Sequence, residues 1–96
     1  MDEARAAQRR TYHFSGRVQG VGFRYTAQHL ARSHPAVKGY VRNLPDGRVE
    51  LVMEGPPEEM DGVLESLRER MDRFIRRTDL NTAPATGEFR EFEIRP

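Results

Sequence analysis

The residues with the clearest capacity for chemistry are Gly16-Arg17-Val18-Gln19-Gly20-Val21-Gly22-Phe23-Arg24. Three glycines fall within seven residues, and an arginine closes the run. Glycine takes positive φ without steric cost and lets a ligand come close to the backbone. A glycine-rich turn that opens a helix leaves unpaired N–H groups pointing one way, at the positive end of the helix dipole. That is an anion cradle. Arg24 would add a permanent charge and a planar fork matched to phosphate or carboxylate. The same residues also suit an ordinary strand-to-helix turn beside an unrelated surface arginine, and this stretch alone leaves both readings open.

Other chemistries find little support. The chain has no cysteine, which excludes disulfides and thiolate chemistry. His13, His29 and His34 show no metal-ligand spacing and read as surface or internally satisfied histidines, so neither a metal nor another cofactor is expected. Asp46 and Glu50 are better explained by a turn and an exposed sheet face than by catalysis. Arg73, Arg76 and Arg77 form a basic cluster of the kind that usually marks a solvated face.

The elements that must position the glycine run can be read from periodicity. Thr11 to Val18 alternates, with Tyr12, Phe14, Gly16 and Val18 on one face, and reads as a half-buried strand. From Phe23 the spacing becomes helical, with Phe23, Ala27, Leu30 and Ala31 as the stripe. His34 precedes Pro35 and is pushed out of the α region, so this helix should end near Ser33. Val37 to Asn43 alternates again, with Val37, Gly39, Val41 and Asn43 sharing a face. Leu44-Pro45-Asp46-Gly47 reads as a turn, and Arg48 to Glu54 as the returning strand. Gly55-Pro56-Pro57 breaks that strand. Met60, Val63, Leu64, Leu67 and Met71 then form the apolar stripe of a second helix, with Glu58 and Glu59 at its positive end. Phe74 to Leu80 is a weaker strand candidate, Asn81 to Gly87 a loop, and Glu88 to Arg95 a final strand. Met1 to Arg10 has too little apolar surface to dock and reads as a flexible leader, leaving 11–96 as one domain.

The order strand, helix, strand, strand, helix, strand is the split βαβ pattern: an α+β, ferredoxin-like sandwich with a mixed, mostly antiparallel sheet and two helices on one face. In that reading the first and third strands pair in parallel in the middle, and the second flanks the third. Sixteen Lys and Arg against fifteen Asp and Glu leave a formal charge of +1, which argues against a general nucleic-acid binder. No apolar run approaches membrane-spanning length and the first residues lack the apolar core of a signal peptide, so the cytoplasm is the default expectation, with no membrane partner.

Two separated motifs carry a resemblance. Val18-Gln19-Gly20-Val21-Gly22-Phe23-Arg24 is followed by Gly39-Tyr40-Val41-Arg42-Asn43, whose asparagine lies nineteen positions after Arg24, and then by Asp46-Gly47-Arg48-Val49-Glu50. In order and spacing this closely resembles the acylphosphatase family, over the stretch from about Tyr12 to Gly55. The second half matches in element order and in Phe92-Glu93-Ile94. The resemblance implies a small, metal-free, ferredoxin-like hydrolase of carboxyl–phosphate anhydrides such as acetyl phosphate. It implies that the amides of Gly16, Arg17, Val18, Gln19, Gly20, Val21 and Gly22 bind the phosphoryl oxygens, that Arg24 grips the phosphate, and that Asn43 positions the attacking water. It also implies that phosphate or sulfate can occupy the site, and a monomer is expected.

The chain departs from the family in two places. Leu44-Pro45 stands where many members have hydroxyl residues after the asparagine. Met71-Asp72-Arg73-Phe74-Ile75-Arg76-Arg77 replaces the usual Gly-Pro stretch after the second helix, so the pocket rim and acyl preference are expected to be affected more than the phosphate site. Two rivals belong to other classes. An RNA-binding module of the same topology would stack bases on exposed aromatics of its central strands. Here Tyr12 and Phe14 fall on the expected core face. A domain that binds phosphate without turnover would not need both Arg24 and Asn43.

Overall fold

The computed structural model describes residues 6–96. In chain order the elements are β1 (Gln8–Gly16), α1 (Phe23–Arg32), β2 (Lys38–Asn43), β3 (Val49–Gly55), α2 (Pro57–Met71), a 3₁₀ turn (Asp72–Phe74), β4 (Ile75–Pro84) and β5 (Phe92–Ile94). The strands form one sheet in the order β4-β1-β3-β2-β5. This is the expected α+β sandwich, with both helices packed on one face.

One expected pairing is corrected. β1 and β3 are neighbours, but they run antiparallel, with Tyr12 opposite Leu51 and Phe14 opposite Val49. The cause is the short β2–β3 connection, which forces β3 antiparallel to β2. The helical crossover through α1 brings β2 back parallel to β1, so β3, inserted between them, opposes both. The parallel pair is β2 with β5.

Each helix starts and stops for a local reason. Gly22, with φ 81° and ψ 13°, precedes α1 in the left-handed region and turns the chain from loop into helix. The Ser33 and His34 amides donate to the Leu30 and Ala31 carbonyls, and Pro35 follows. α2 opens on Pro57 with Glu58 and Glu59 in its first turn. The helices bury Phe23, Ala27, Leu30, Ala31, Met60, Val63, Leu67 and Met71 against Tyr12, Phe14, Val41, Leu51 and Met53 of the sheet.

β1, read to Val18, ends at Gly16, other ends shift by one residue, and three further boundaries differ more from expectation. β1 begins at Gln8, so Gln8–Arg10 are strand rather than leader, while residues 1–5 lie outside the described residues. β4 runs to Pro84, through the stretch read as loop, and pairs with β1 along its whole length. An edge strand that buries little of either face carries no clean alternation to read. β5 is only Phe92–Ile94, because Glu88–Glu91 belong to a strap between β4 and β5. That strap is fastened to Glu54, the most deeply buried charged residue described, at 6% exposure. The Glu54 carboxylate accepts from the Thr86 amide (2.9 Å), the Thr86 hydroxyl (3.0 Å) and the Gly87 amide (3.0 Å). Arg9 lies 3.7 Å away.

Candidate active site

The glycine run leaves β1 at Gly16 and enters α1 at Phe23. Its ends are fixed in two ways. Gly16 has φ 126°, and a Cβ there would strike the Phe74 carbonyl oxygen, so no larger residue fits between β1 and the turn before β4. Val18 is fully buried and Val21 packs partly against the core, so the loop is pegged by alternate apolar side chains. On either side of Val21, Gly20 (φ 76°) and Gly22 (φ 81°) take positive φ while no non-glycine residue described does. Alternation of φ sign turns successive N–H groups toward one side, the geometry of an anion nest. Among the described residues, the amides of Val18, Gln19, Gly20, Val21 and Gly22 find no acceptor. The Arg17 amide differs: it donates to the Phe74 carbonyl at 2.9 Å, and Gly16 is paired into the sheet opposite Ile75. The donors open to a ligand therefore lie in the second part of the run.

Asn43 reaches the same place from another element. β2 alternates, with Val37, Gly39 and Val41 buried on the helix side. Asn43 continues that face at the strand's C-terminal end, beside the mouth of the glycine loop. Val18, Gly20, Gly22, Phe23, Arg24, Tyr25 and Asn43 line one pocket of about 190 Å³. That is below the ordinary range for drug-sized ligands, which starts near 300 Å³, and suits a smaller molecule. The structure thus brings Arg24, Asn43, Val18, Gly20 and Gly22 together. Gly16, Arg17, Gln19 and Val21 support the loop without lining the pocket.

Two features describe what the site can do. Asn43 Oδ1 is buried and has no hydrogen-bond partner. Buried polar atoms are nearly always paired, so an unpaired acceptor on a pocket wall is a group held for a ligand or a water. Arg24, half-buried, forms no ion pair among the described residues. Its charge is not neutralised from within. The pocket walls carry no carboxylate, histidine or thiol, and no group of three or more such ligands occurs among the described residues. The arrangement fits a small anion held by amides and a guanidinium, with a neutral amide beside it.

Tyr25 was not singled out by sequence reasoning. It is 73% exposed and stands on the pocket rim. The available signal was its position outside the Phe23/Ala27/Leu30/Ala31 stripe, where a large aromatic has no core to enter. Residues 71–87, where the chain departs from the family pattern, do not line this pocket. Their links to the glycine run are at its start, through the Phe74 carbonyl and the pairing of Ile75 with Gly16. On the opposite sheet face, Glu50 accepts from His13 (2.9 Å), Tyr40 (3.0 Å) and Arg42 (2.8 Å). Burial pushes its carboxyl up, but these three donors outweigh it and hold it below the ordinary value. Tyr40 and Phe89, the aromatics of that face, meet edge-on and are covered by arginines: Arg95 lies 4.2 Å from the Tyr40 ring centre and Arg9 5.3 Å from that of Phe89.

Fold, loop and pocket together describe an α+β domain with a small pocket at the mouth of a glycine loop, and comparison with known proteins gives the family. The acylphosphatase family model matches residues 10–94. The chain is 48% identical over 82 residues to an acylphosphatase of Methylococcus capsulatus, covering 83% of this chain and 87% of that one. It is 40% identical over 96 residues to an acylphosphatase of Rubrobacter xylanophilus, covering 99% and 86%. The crystal structure of an acylphosphatase from Bacillus subtilis superposes with a TM-score of 0.81 at 28% identity, covering 93% of this chain and 99% of that one. The chain belongs to the acylphosphatase family, a family of hydrolases. No helix among the described residues is long and apolar enough to cross a membrane.

Proposed function

We propose that this protein hydrolyses the carboxyl–phosphate anhydride of small acyl phosphates, giving a carboxylate and inorganic phosphate without a metal ion. The observation that carries this reading is the unpartnered Asn43 Oδ1 in one pocket with Arg24 and the glycine-loop amides. The open amides of the pocket-lining loop residues Val18, Gly20 and Gly22 hold the phosphoryl oxygens. Arg24 binds the phosphate and stabilises charge that develops as the bond to the acyl oxygen breaks. Asn43 Oδ1 accepts a hydrogen bond from the attacking water, while its NH₂ donates to a phosphoryl oxygen. Water attacks phosphorus, the acyl oxygen leaves with the bonding electrons, and the water's proton passes to the phosphate product or to solvent. A carboxylate is a good leaving group, so no strong base is required. Phosphoryl transfer asks mainly for positioning and charge stabilisation, which fixed amides and one guanidinium supply. An aspartate in place of Asn43 would repel the phosphate dianion.

The test is acetyl phosphate hydrolysis by purified protein in EDTA. Full activity is expected. Activity that vanishes with EDTA and returns with a divalent ion would refute the metal-free mechanism, and phosphate binding with no turnover would reduce the site to a binding module.

A further inference from the structure

Gln19 sits between two pocket-lining residues, Val18 and Gly20, yet does not line the pocket. Its carboxamide instead spans to the β2–β3 connection. Nε2 donates to the Leu44 carbonyl at 2.8 Å and to the Arg48 carbonyl at 2.9 Å. Those two carbonyls are the neck of the hairpin loop: the Leu44 amide donates to Arg48 O at 2.8 Å, and the Gly47 amide to Leu44 O at 3.1 Å. One NH₂ carries two hydrogens, and each is used on one side of the neck. Leu44 is the residue after Asn43. Among the described residues, these are the only hydrogen bonds that Val18 to Val21 make with the rest of the chain.

We infer that Gln19 is a positioning residue, whose NH₂ group sets the register between the phosphate cradle and Asn43. Val18 and Val21 hold the loop by apolar burial, which is non-directional and fixes depth better than rotation. Hydrogen bonds are directional and fix where the cradle stands against the hairpin. The cradle and Asn43 come from different elements and must address one phosphoryl group. Misplacement by about 1 Å can cost on the order of 10²-fold in rate. A glutamate at this position would turn two acceptors against two carbonyls, and a leucine would leave each carbonyl with its backbone donor alone. The inference rests on the water-positioning role proposed for Asn43.

The experiment is a double-mutant cycle on Gln19→Ala and Asn43→Ala, reading kcat for acetyl phosphate and Kd for inorganic phosphate, with thermal melts as the folding control. Gln19→Ala alone is expected to lower kcat about tenfold or more, with phosphate Kd within about twofold. Added to Asn43→Ala, it should lower kcat by less than about twofold, because the group it positions is already gone. Gln19→Glu should lose as much as Gln19→Ala at neutral pH. In the Gln19→Ala protein, the Asn43 side-chain amide resonances should move before any ligand is added. Equal fold-losses in both backgrounds, or a loss carried by phosphate Kd alone, would overturn the inference. If Gln19→Ala fails to fold, the same cycle with Gln19→Met, which keeps length and removes the donors, decides it in the same way. Full activity of folded Asn43→Ala would instead overturn the role of Asn43, and this inference with it.

Discussion

The two ends of the central strand pair treat buried polar groups in opposite ways. At one end of β3, Glu54 accepts three hydrogen bonds from the strap at Thr86 and Gly87 and faces Arg9. At the other end, opposite Val49, Asn43 keeps a buried oxygen with no partner, beside five loop amides that find no acceptor. One sheet therefore has an end where a buried carboxylate is fully partnered and an end where a pocket-facing acceptor is open; Arg10 Nε, near the first end, and Tyr12 Oη, in mid-sheet, are also buried without partners but line no part of the pocket. An unpaired buried polar group costs about 1–3 kcal/mol, so leaving Asn43 Oδ1 open is disfavoured unless something else binds there. The saturated end holds the chain together, and the open end can hold a ligand.

The sharpest way to break this comparison is at Arg24. Arg24→Ala should weaken phosphate binding and slow turnover together, since the proposed contact exists both before and during reaction. Loss of a charge-assisted contact costs about 1.5–3 kcal/mol, or roughly 10- to 150-fold in Kd, and kcat/KM should fall further where charge develops in a fixed site. Arg24→Lys should recover little, because an ammonium cannot reproduce the planar fork. Thermal stability without ligand should barely change. A variant with unaltered phosphate Kd would show that the charge serves something else.

Next in size is the saturated end. Glu54→Ala leaves the Thr86 and Gly87 amides without their acceptor, while the Thr86 hydroxyl keeps Glu88, and should cost about 1–3 kcal/mol of stability. Because β3 separates it from the pocket, phosphate Kd at a temperature where the variant is folded should match the parent. A change in Kd as large as that in Arg24→Ala would mean that the two ends are not independent. Glu54→Gln should fall between, since an amide retains one of the two acceptor oxygens.

The unsaturated end was largely legible in the sequence, and the saturated end was not. Glycines at Gly20 and Gly22, an arginine on the first helical turn, and the alternation that carries Asn43 to the helix-side face are local signals. They report φ, charge and strand period directly. That Arg24 and Asn43 share a pocket is not local. It depends on β3 entering between β1 and β2, and the sequence reading had the direction of that strand reversed relative to β1. Gln19 shows the same limit: its type and position were visible, but its two carbonyl acceptors lie in a loop that only the fold brings near. Glu54 ends the alternating run of β3, where a carboxylate normally reads as solvent-facing, and nothing in Ala85-Thr86-Gly87 announces a strap that covers it. The length of β4 was hidden for a different reason. Its pairing is made by backbone, and side chains exposed on an edge leave no periodic trace.

The smallest expected effect concerns Glu50, which tests whether nearness in sequence to the site matters more than saturation. Glu50 pairs with Arg42, the neighbour of Asn43, yet it lies on the open face and is engaged by His13, Tyr40 and Arg42. By the comparison drawn above it should behave as Glu54 does. Its folded carboxyl is held below the ordinary value near 4.5, because the three donors outweigh burial. The sign follows from linkage. A carboxyl whose folded pKa is depressed binds protons more readily in the unfolded chain, so it contributes stability above the unfolded value. That contribution is lost as pH falls through the folded value. Glu50→Gln, which keeps the shape and one acceptor but not the charge, should therefore be less stable than the parent by about 1 kcal/mol at neutral pH. The gap should stay level down to about pH 5 and close progressively below the ordinary value near 4.5. Urea unfolding of both proteins from pH 7 to pH 3 measures it. A gap that persists unchanged at pH 3 would show that packing rather than charge holds Glu50. A fall in kcat as large as that of Asn43→Ala, with the protein folded, would place Glu50 in the site and remove the distinction between saturated and unsaturated groups at this end of the sheet.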